Sequence, residues 1–234
     1  MIGSLVSAGL RTRVRGLAEP VARGFGRLGL TPNHLTFIGF GIAVIASVAA
    51  AQQAWLLGGA LVLFGAVFDL FDGALARATN RVTKLGAFYD SVFDRWGEGV
   101  IYVGIAAGSL AAGFNLGAVL ATAALTSAVM VSYTRAKSES LGFTQGSGMA
   151  NVGLAPREAR IAILTVGLVI LSVVGPVGPW AFETPVNSPY SFVGPDFYHL
   201  GDIALSITLG LITILATVTT IQRILHVRAQ AREG

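Results

Sequence analysis

Residues 69–94 read DLFDGALARATNRVTKLGAFYDSVFD and contain four aspartates in two pairs. Asp69 and Asp72 are three residues apart, and Asp90 and Asp94 are four residues apart. At these spacings each pair falls on one face of a helix. The segments on both sides are mainly apolar, so the stretch predicts two antiparallel helices, joined by a short loop, whose carboxylates meet at one end.

The composition of the whole chain indicates a membrane protein. Hydrophobic residues make up 53% of its 234 residues and charged residues only 12%, and the mean hydropathy is +0.70. Soluble domains average about 25% charged residues, so this chain could not cover a large core with a polar surface. The absence of cysteine excludes disulfides, thiolate metal sites and cysteine nucleophiles.

The hydrophobic pattern predicts an all-α integral membrane fold with six transmembrane helices. A spanning helix needs about 20 apolar residues, and the candidates are 34–52, 54–77, 85–111, 115–135, 159–178 and 201–223. We expect them to form one catalytic domain, residues 34–226, followed by a cytoplasmic tail, residues 227–234.

Residues 1–33 mix arginines with apolar residues and carry a single acidic residue, Glu19. This pattern predicts an amphipathic juxtamembrane helix lying in the membrane interface. A transit peptide is the alternative, because such peptides are also rich in arginine and poor in acidic residues.

The basic residues predict the orientation of the spans. They lie before span one, between spans two and three, between spans four and five, and after span six, whereas the other three connections contain none. Because cytoplasmic loops carry the excess of Lys and Arg, we expect both termini and the aspartates on the cytoplasmic side of the cell inner membrane. The net charge of +4 then favours anionic lipid, and not nucleic acid, as the partner. The loop 174–200 lies outside and is expected to be a cap without a catalytic role.

Carboxylates inside a membrane are costly and need compensating cations. Arginines nearby could help, and a cluster of satisfied salt bridges would explain one or two acidic residues but not four at helical spacing. Hard divalent cations prefer oxygen ligands, and carboxylates with little else suggest Mg²⁺ or Mn²⁺. Such a site in turn suggests a substrate that bears phosphate.

The same stretch resembles the signature of the CDP-alcohol phosphotransferase family, D-x2-D-G-x2-A-R-x8-G-x3-D-x3-D. Every fixed position matches, at Asp69, Asp72, Gly73, Ala76, Arg77, Gly86, Asp90 and Asp94. The resemblance implies that an acceptor hydroxyl attacks the β-phosphorus of a CDP-linked lipid such as CDP-diacylglycerol, and that CMP leaves.

The resemblance also implies residue roles. Asp69, Asp72 and Asp90 would hold two metal ions, and Asp94 would complete the shell and act as the general base. The CDP moiety would contact Asn33, Gly73, Ala76, Arg77 and Gly86. A homodimer is implied as well.

Two further stretches resemble the inositol-phosphate branch of the family, the bacterial phosphatidylinositol-phosphate synthases. They are SYTRAK at 132–137 and PREAR at 156–160, and Gln222-Arg223 at the end of span six is similar. We therefore expect a phosphorylated polyol as the acceptor, and inositol phosphate is the favoured one. Its phosphate would bind the basic residues at three helix ends, chiefly Arg135, Arg160 and Arg223, together with Lys137 and Arg157.

Three departures from the branch bear on the acceptor. Arg135 and Lys137 exchange the expected basic types, the segment 141–156 is longer, and Asn33 stands where an Asp can occur. Glycerol 3-phosphate, and hence phosphatidylglycerophosphate synthesis, is the alternative acceptor.

Two other classes of membrane protein place carboxylates in the bilayer. An intramembrane prenyltransferase would have Asn before the first aspartate and a second motif far downstream, but here Phe68 precedes Asp69 and both pairs are adjacent. A transporter would show broken helices and often internal repeats, and the sequence shows neither.

Overall fold

The computed structural model describes residues 20–143, 152–175, 177–178 and 200–233. Within these ranges the chain is helical, with turns between the helices and no strand, as the sequence predicts. Six long helices follow one another: α1 (Pro32–Ala51), α2 (Trp55–Ala78), α3 (Lys84–Ala111), α4 (Asn115–Ser140), α5 (Arg157–Val174) and α6 (Leu200–Glu233). Residues 20–27 are also helical, whereas residues 1–19 of the predicted amphipathic helix and most of the predicted outer cap, 174–200, lie outside the described residues.

The helices agree with the six predicted spans, and the differences lie at their ends. Helix α4 continues to Ser140 and α6 to Glu233, beyond the predicted ends at 135 and 223. The residues that follow those predicted ends, 136–140 and 224–233, include no Gly or Pro and are mostly good helix formers such as Ala, Leu, Lys, Arg, Gln and Glu, so both helices continue. The predicted tail from residue 227 is thus the last part of α6.

Four of the six helices, α1, α2, α4 and α6, are long and apolar enough to cross a membrane. Helix α3 is long but carries Asp90, Asp94, Arg95 and Glu98, and α5 begins with Arg157, Glu158 and Arg160. These charged residues interrupt the apolar pattern of α3 and α5.

The six helices pack in a closed ring. Going round it, α1 contacts α2, α2 contacts α5, α5 contacts α6, α6 contacts α4, α4 contacts α3, and α3 returns to α1. Small residues allow the closest approach: a Cβ on Gly104 of α3 would lie 2.2 Å from the carbonyl oxygen of Ser47 in α1, and one on Gly108 would lie 2.2 Å from that of Ala50. The apolar core fills one part of this ring, and the aspartates lie at its other end.

Local signals fix the helix starts at the aspartate end. Thr31 caps α1: its hydroxyl accepts from the backbone N–H of His34, and the His34 side chain accepts from the N–H of Thr31. Thr83 caps α3 by accepting from the N–H of Gly86 at 3.0 Å. Such caps satisfy amide groups that have no partner inside the helix.

The segment before α5 is fixed to α6. The Thr219 hydroxyl accepts from the backbone N–H groups of Leu154 and Ala155 at 3.0 and 2.9 Å. Gly153 has a φ of +120°, and a Cβ there would lie 2.2 Å from Thr219. These contacts set where α5 begins, and so where its first arginine lies.

Candidate active site

Three of the four signature aspartates form a compact group. Carboxylate oxygens of Asp69, Asp72 and Asp90 all lie within 4.8 Å of one another. Asp72 is buried, and the Thr36 hydroxyl of α1 donates to its Oδ2 at 2.9 Å. The donor set consists of hard oxygen atoms from two consecutive helices, α2 and α3, which fits a divalent cation such as Mg²⁺ or Mn²⁺.

Asp94 lies beside this group but has cationic partners. Its Oδ1 forms an ion pair with Nη1 of Arg157 at 2.9 Å, and its Oδ2 accepts a hydrogen bond from Nη1 of Arg95 at 3.0 Å. The Arg157 Nη1 also forms an ion pair with Asp69. The metal role of Asp94 thus stays a prediction, because the compact oxygen group contains only the other three aspartates.

One cavity of about 320 Å³ opens on the α1–α2–α3 side of the aspartates. It is lined by all five residues predicted for the CDP moiety, Asn33, Gly73, Ala76, Arg77 and Gly86, and also by Asp72 and Asp90. A Cβ on Gly86 would lie 3.0 Å from Thr83 Oγ1 and 3.4 Å from Asn33 Oδ1. Glycine therefore keeps this cavity open at its narrow point, and we call it the nucleotide cavity.

A second cavity of about 530 Å³ shares no lining residue with the first and adjoins the other two signature aspartates. Asp69 and Asp94 line it, together with four of the five basic residues predicted for the acceptor phosphate: Arg135, Arg157, Arg160 and Arg223. Lys137, the fifth, is exposed and is not among the lining residues. We call this space the basic cavity.

The arginines of the basic cavity differ in how fully they are engaged. Arg135 is half-exposed and pairs with Glu139 one turn along α4 at 2.8 Å. Arg223 is buried and donates to the backbone carbonyls of Val152 and Val131. The Nε of Arg157 is buried and has no hydrogen-bond partner among the described residues.

Arg160 is the most buried of these arginines, with 1% exposure. Its Nε and Nη2 donate to the two carboxylate oxygens of Glu98, both at 2.7 Å, and its Nη1 donates to the carbonyl of Ala155 at 2.9 Å. The ion pair crosses the interior of the ring from α5 to α3.

The sequence analysis missed three of these contributors. Glu98 follows Asp94 by four residues, so the helical spacing could have marked it as a fifth carboxylate on that face of α3. Arg95, considered only as a compensating charge, lines the basic cavity and donates to Ser132 at 3.0 Å. The role of Thr36 had no signal, because it depends on how α1 packs against α2.

Comparison with known proteins identifies the relatives of this chain. A family model described as CDP-alcohol phosphatidyltransferase matches residues 29–186. The phosphatidylinositol phosphate synthase of Cutibacterium acnes is 33% identical over 212 residues, which cover 90% of this chain and 91% of that protein. The archaetidylinositol phosphate synthase of Pyrococcus horikoshii is 39% identical over 155 residues, or 66% of this chain and 78% of that protein.

Solved structures match the fold over nearly the whole chain. The phosphatidylinositol phosphate synthase of Mycobacterium tuberculosis with CDP-DAG bound has a TM-score of 0.70 at 26% identity, covering 90% of this chain and 92% of that one. The same enzyme in complex with manganese and citrate also gives 0.70 at 26% identity, covering 90% and 88%.

Proposed function

This chain belongs to the CDP-alcohol phosphatidyltransferase family, and from that premise we propose that it transfers a phosphatidyl group from CDP-diacylglycerol to the hydroxyl of inositol phosphate. In this reaction the acceptor oxygen forms a bond to the β-phosphorus while the bond from that phosphorus to the pyrophosphate bridging oxygen breaks. CMP leaves with the bridging oxygen, and the hydroxyl proton passes to a base of the enzyme.

One observation carries the proposal: two separate cavities, with no lining residue in common, adjoin the signature aspartates. Asp72 and Asp90 line the nucleotide cavity, and Asp69 and Asp94 line the basic cavity. A donor and an acceptor bound in these two spaces would meet at the carboxylates. Direct displacement requires this arrangement, because the attacking and leaving oxygens must lie on opposite sides of the phosphorus.

Asp69, Asp72 and Asp90 are the residues that we propose hold the metal ions, two in each site. Divalent ions there would neutralise the pyrophosphate charge and clamp the attacking and leaving oxygens. In the nucleotide cavity, Gly73 and Gly86 leave room for the donor to approach the backbone, and Asn33, Ala76 and Arg77 would complete its contacts.

We assign the base to Asp94. Its carboxylate lies at the boundary of the basic cavity, where the acceptor hydroxyl would enter. Its Oδ2 accepts a hydrogen bond from Arg95 and its Oδ1 forms an ion pair with Arg157, and the carboxylate retains lone pairs for the hydroxyl proton. The two guanidinium groups hold the carboxylate in place during the transfer.

The basic cavity favours an acceptor that carries phosphate. Arginine side chains bind phosphate by paired, charge-assisted hydrogen bonds, and the half-exposed Arg135 is one available donor in this cavity. Among the described residues, Arg223 is the arginine of this cavity without a carboxylate partner, so an acceptor phosphate would supply the anion that a neutral alcohol could not. The names of the Cutibacterium and Pyrococcus relatives share inositol phosphate and differ in the lipid, which supports inositol phosphate for this chain.

We further propose that the aspartate end faces the cytoplasm and that the enzyme works as a homodimer in the cell inner membrane. The orientation rests on the basic residues, which cluster at the end of the ring where the aspartates lie.

The experiment that tests the function offers the purified enzyme CDP-diacylglycerol with Mg²⁺ or Mn²⁺ and measures CMP release. Inositol 3-phosphate, glycerol 3-phosphate, inositol and serine are supplied in parallel. We expect metal-dependent CMP release with inositol 3-phosphate. A preference for glycerol 3-phosphate would agree with phosphate binding in the basic cavity but would change the identity of the acceptor. A preference for inositol or serine would refute a phosphorylated acceptor.

A further inference from the structure

Glu98 is a buried carboxylate that lies outside the family signature. It has 7% exposure and lies one turn beyond Asp94 on the same face of α3. Among the described residues its hydrogen-bond partner is Arg160, which binds both of its carboxylate oxygens at 2.7 Å. Glu98 does not line the basic cavity, whereas Arg160 does.

Two N–H donors of Arg160 remain free to bind a ligand. A guanidinium has five N–H donors, and three of them are used by Glu98 and by the carbonyl of Ala155. One N–H remains on each terminal nitrogen. Because the fork to Glu98 fixes the plane of the group, these two donors have a fixed direction.

The same ion pair holds α5 in place across the ring. Two ion pairs connect α3 with α5: Asp94 with Arg157, and Glu98 with Arg160. The two acids are four residues apart and the two arginines three, so each pair lies on one face of its helix. Without the ion pair of Glu98 with Arg160, the first turn of α5 would lose one of the contacts that hold its arginines towards the aspartates.

We infer that Glu98 is a positioning residue for the acceptor: it orients Arg160, and through α5 also Arg157, towards the phosphate of the acceptor in the basic cavity. A buried guanidinium needs an anionic partner, and Glu98 supplies it. Because Glu98 lies outside the basic cavity, its carboxylate does not compete with the acceptor phosphate for the space there. The inference rests on the proposed function, because it names the group that prepares the acceptor side of that site.

The test compares Glu98→Gln with the wild-type enzyme. Glutamine keeps the size of the side chain but has one acceptor oxygen and no charge, so the paired hydrogen bonds with Arg160 are lost. We expect the KM for inositol 3-phosphate to rise about tenfold, which corresponds to about 1.4 kcal/mol. The KM for CDP-diacylglycerol should stay within about twofold, because the nucleotide cavity is lined by other residues.

Two further variants separate positioning from general stability. Ser109→Ala removes a hydroxyl from the far end of α3 that donates only to its own helix, and it should change neither KM. Glu98→Gln combined with Arg160→Ala should be no worse for acceptor KM than Arg160→Ala alone, because Glu98 acts through Arg160. If Glu98→Gln does not fold, as judged by its thermal transition in detergent, Arg160→Lys tests the same fork with the charge retained and should also raise the acceptor KM.

The outcomes are distinct. An unchanged acceptor KM, or an equal rise in both KM values, would overturn the positioning role and leave the proposed function standing. If the wild-type enzyme uses no phosphorylated acceptor, the proposed function fails. The positioning role is then decided by the thermal shift that inorganic phosphate gives the metal-loaded protein, which Glu98→Gln should reduce. No phosphate shift in the wild-type protein would overturn both.

Discussion

A single guanidinium nitrogen of Arg157 contacts both Asp69 and Asp94. Its Nη1 lies 2.9 Å from Asp94 Oδ1 and also pairs with Asp69 Oδ2. Arg157 begins α5, whereas the two aspartates belong to α2 and α3, so three helices of the ring converge on this atom. The contact joins the proposed base to one of the proposed metal ligands.

Asp94→Asn should abolish turnover while the protein still binds CDP-diacylglycerol. The amide cannot accept the hydroxyl proton, and general bases typically contribute about 10²–10⁴-fold. The compact group of Asp69, Asp72 and Asp90 remains, so binding of Mn²⁺ and of the donor lipid should persist. The measurement is CMP release together with equilibrium binding of a CDP-lipid. Activity above about a tenth of wild type would rule out Asp94 as the base.

Arg157→Gln should affect metal binding and catalysis in opposite directions. Removing a cation beside Asp69 should tighten Mn²⁺ binding by up to about tenfold. Turnover should fall about 10²-fold, because Asp94 and the acceptor lose a fixed donor. Titration of Mn²⁺ by electron paramagnetic resonance, alongside kcat, separates the two effects. Weaker Mn²⁺ binding in this variant would show that Arg157 orders the carboxylates and does not compete with the metal.

Arg135→Ala should raise the KM for a phosphorylated acceptor and leave the KM for CDP-diacylglycerol unchanged. Arg135 lines the basic cavity and is held only by an exposed pair with Glu139, so its loss should disturb the fold little. We expect an increase of about tenfold in acceptor KM. Arg228→Ala is the matched control, because Arg228 is an exposed arginine at the same end of the ring. If both substitutions raised the acceptor KM equally, Arg135 would act only through its positive charge and would not contact the acceptor phosphate.

Gly86→Ala should impair the donor side alone. The added methyl would lie 3.0 Å from Thr83 Oγ1 and 3.4 Å from Asn33 Oδ1, and overpacking of this kind costs about 1–3 kcal/mol. We expect the KM for CDP-diacylglycerol to rise about tenfold or more, with acceptor KM nearly unchanged. Gly41→Ala is the control, since nothing lies within 4 Å of a Cβ there. A normal donor KM in Gly86→Ala would place the nucleotide elsewhere.

Single cysteines test the proposed orientation against a background that has none of its own. Cysteine at Gln53 or Asn115, both exposed at one end of the ring, should react with an impermeant thiol reagent added outside the cell. Cysteine at Ala78 or Ser140, exposed at the aspartate end, should react only after the membrane is opened. The reverse pattern would put the aspartates outside and contradict a cytoplasmic active site.

Local sequence accounts for most of the helices and for the aspartate group. The carboxylate spacing requires only that 69–94 form two helices and a short loop, and the apolar lengths set the helix count. The predicted ends of α4 and α6 fall short because good helix formers, without Gly or Pro, continue both helices beyond them.

The pairing of Arg157 and Arg160 could not be predicted, because it depends on contacts between helices far apart in sequence. Sequence reasoning placed both arginines near a phosphate but gave no reason for Arg160 to meet Glu98, 62 residues away. Thr36 is a similar case, since it reaches Asp72 only when α1 packs against α2. The positions of the helices thus follow from local sequence, whereas the side-chain contacts between helices depend on how the six helices pack in the ring.

The order of helices around the ring bears on how the protein is made. Helices α1 to α4 leave the ribosome first and already contain all four signature aspartates, whereas α5 inserts later, between α2 and α6. A nascent chain that ends at Ser140 therefore holds a group of carboxylates without Arg157 to neutralise it. At that stage Arg95 still pairs with Asp94, and divalent ions would compensate the charge of the other three aspartates, so we expect the assembly of this protein during biogenesis to depend on the availability of metal.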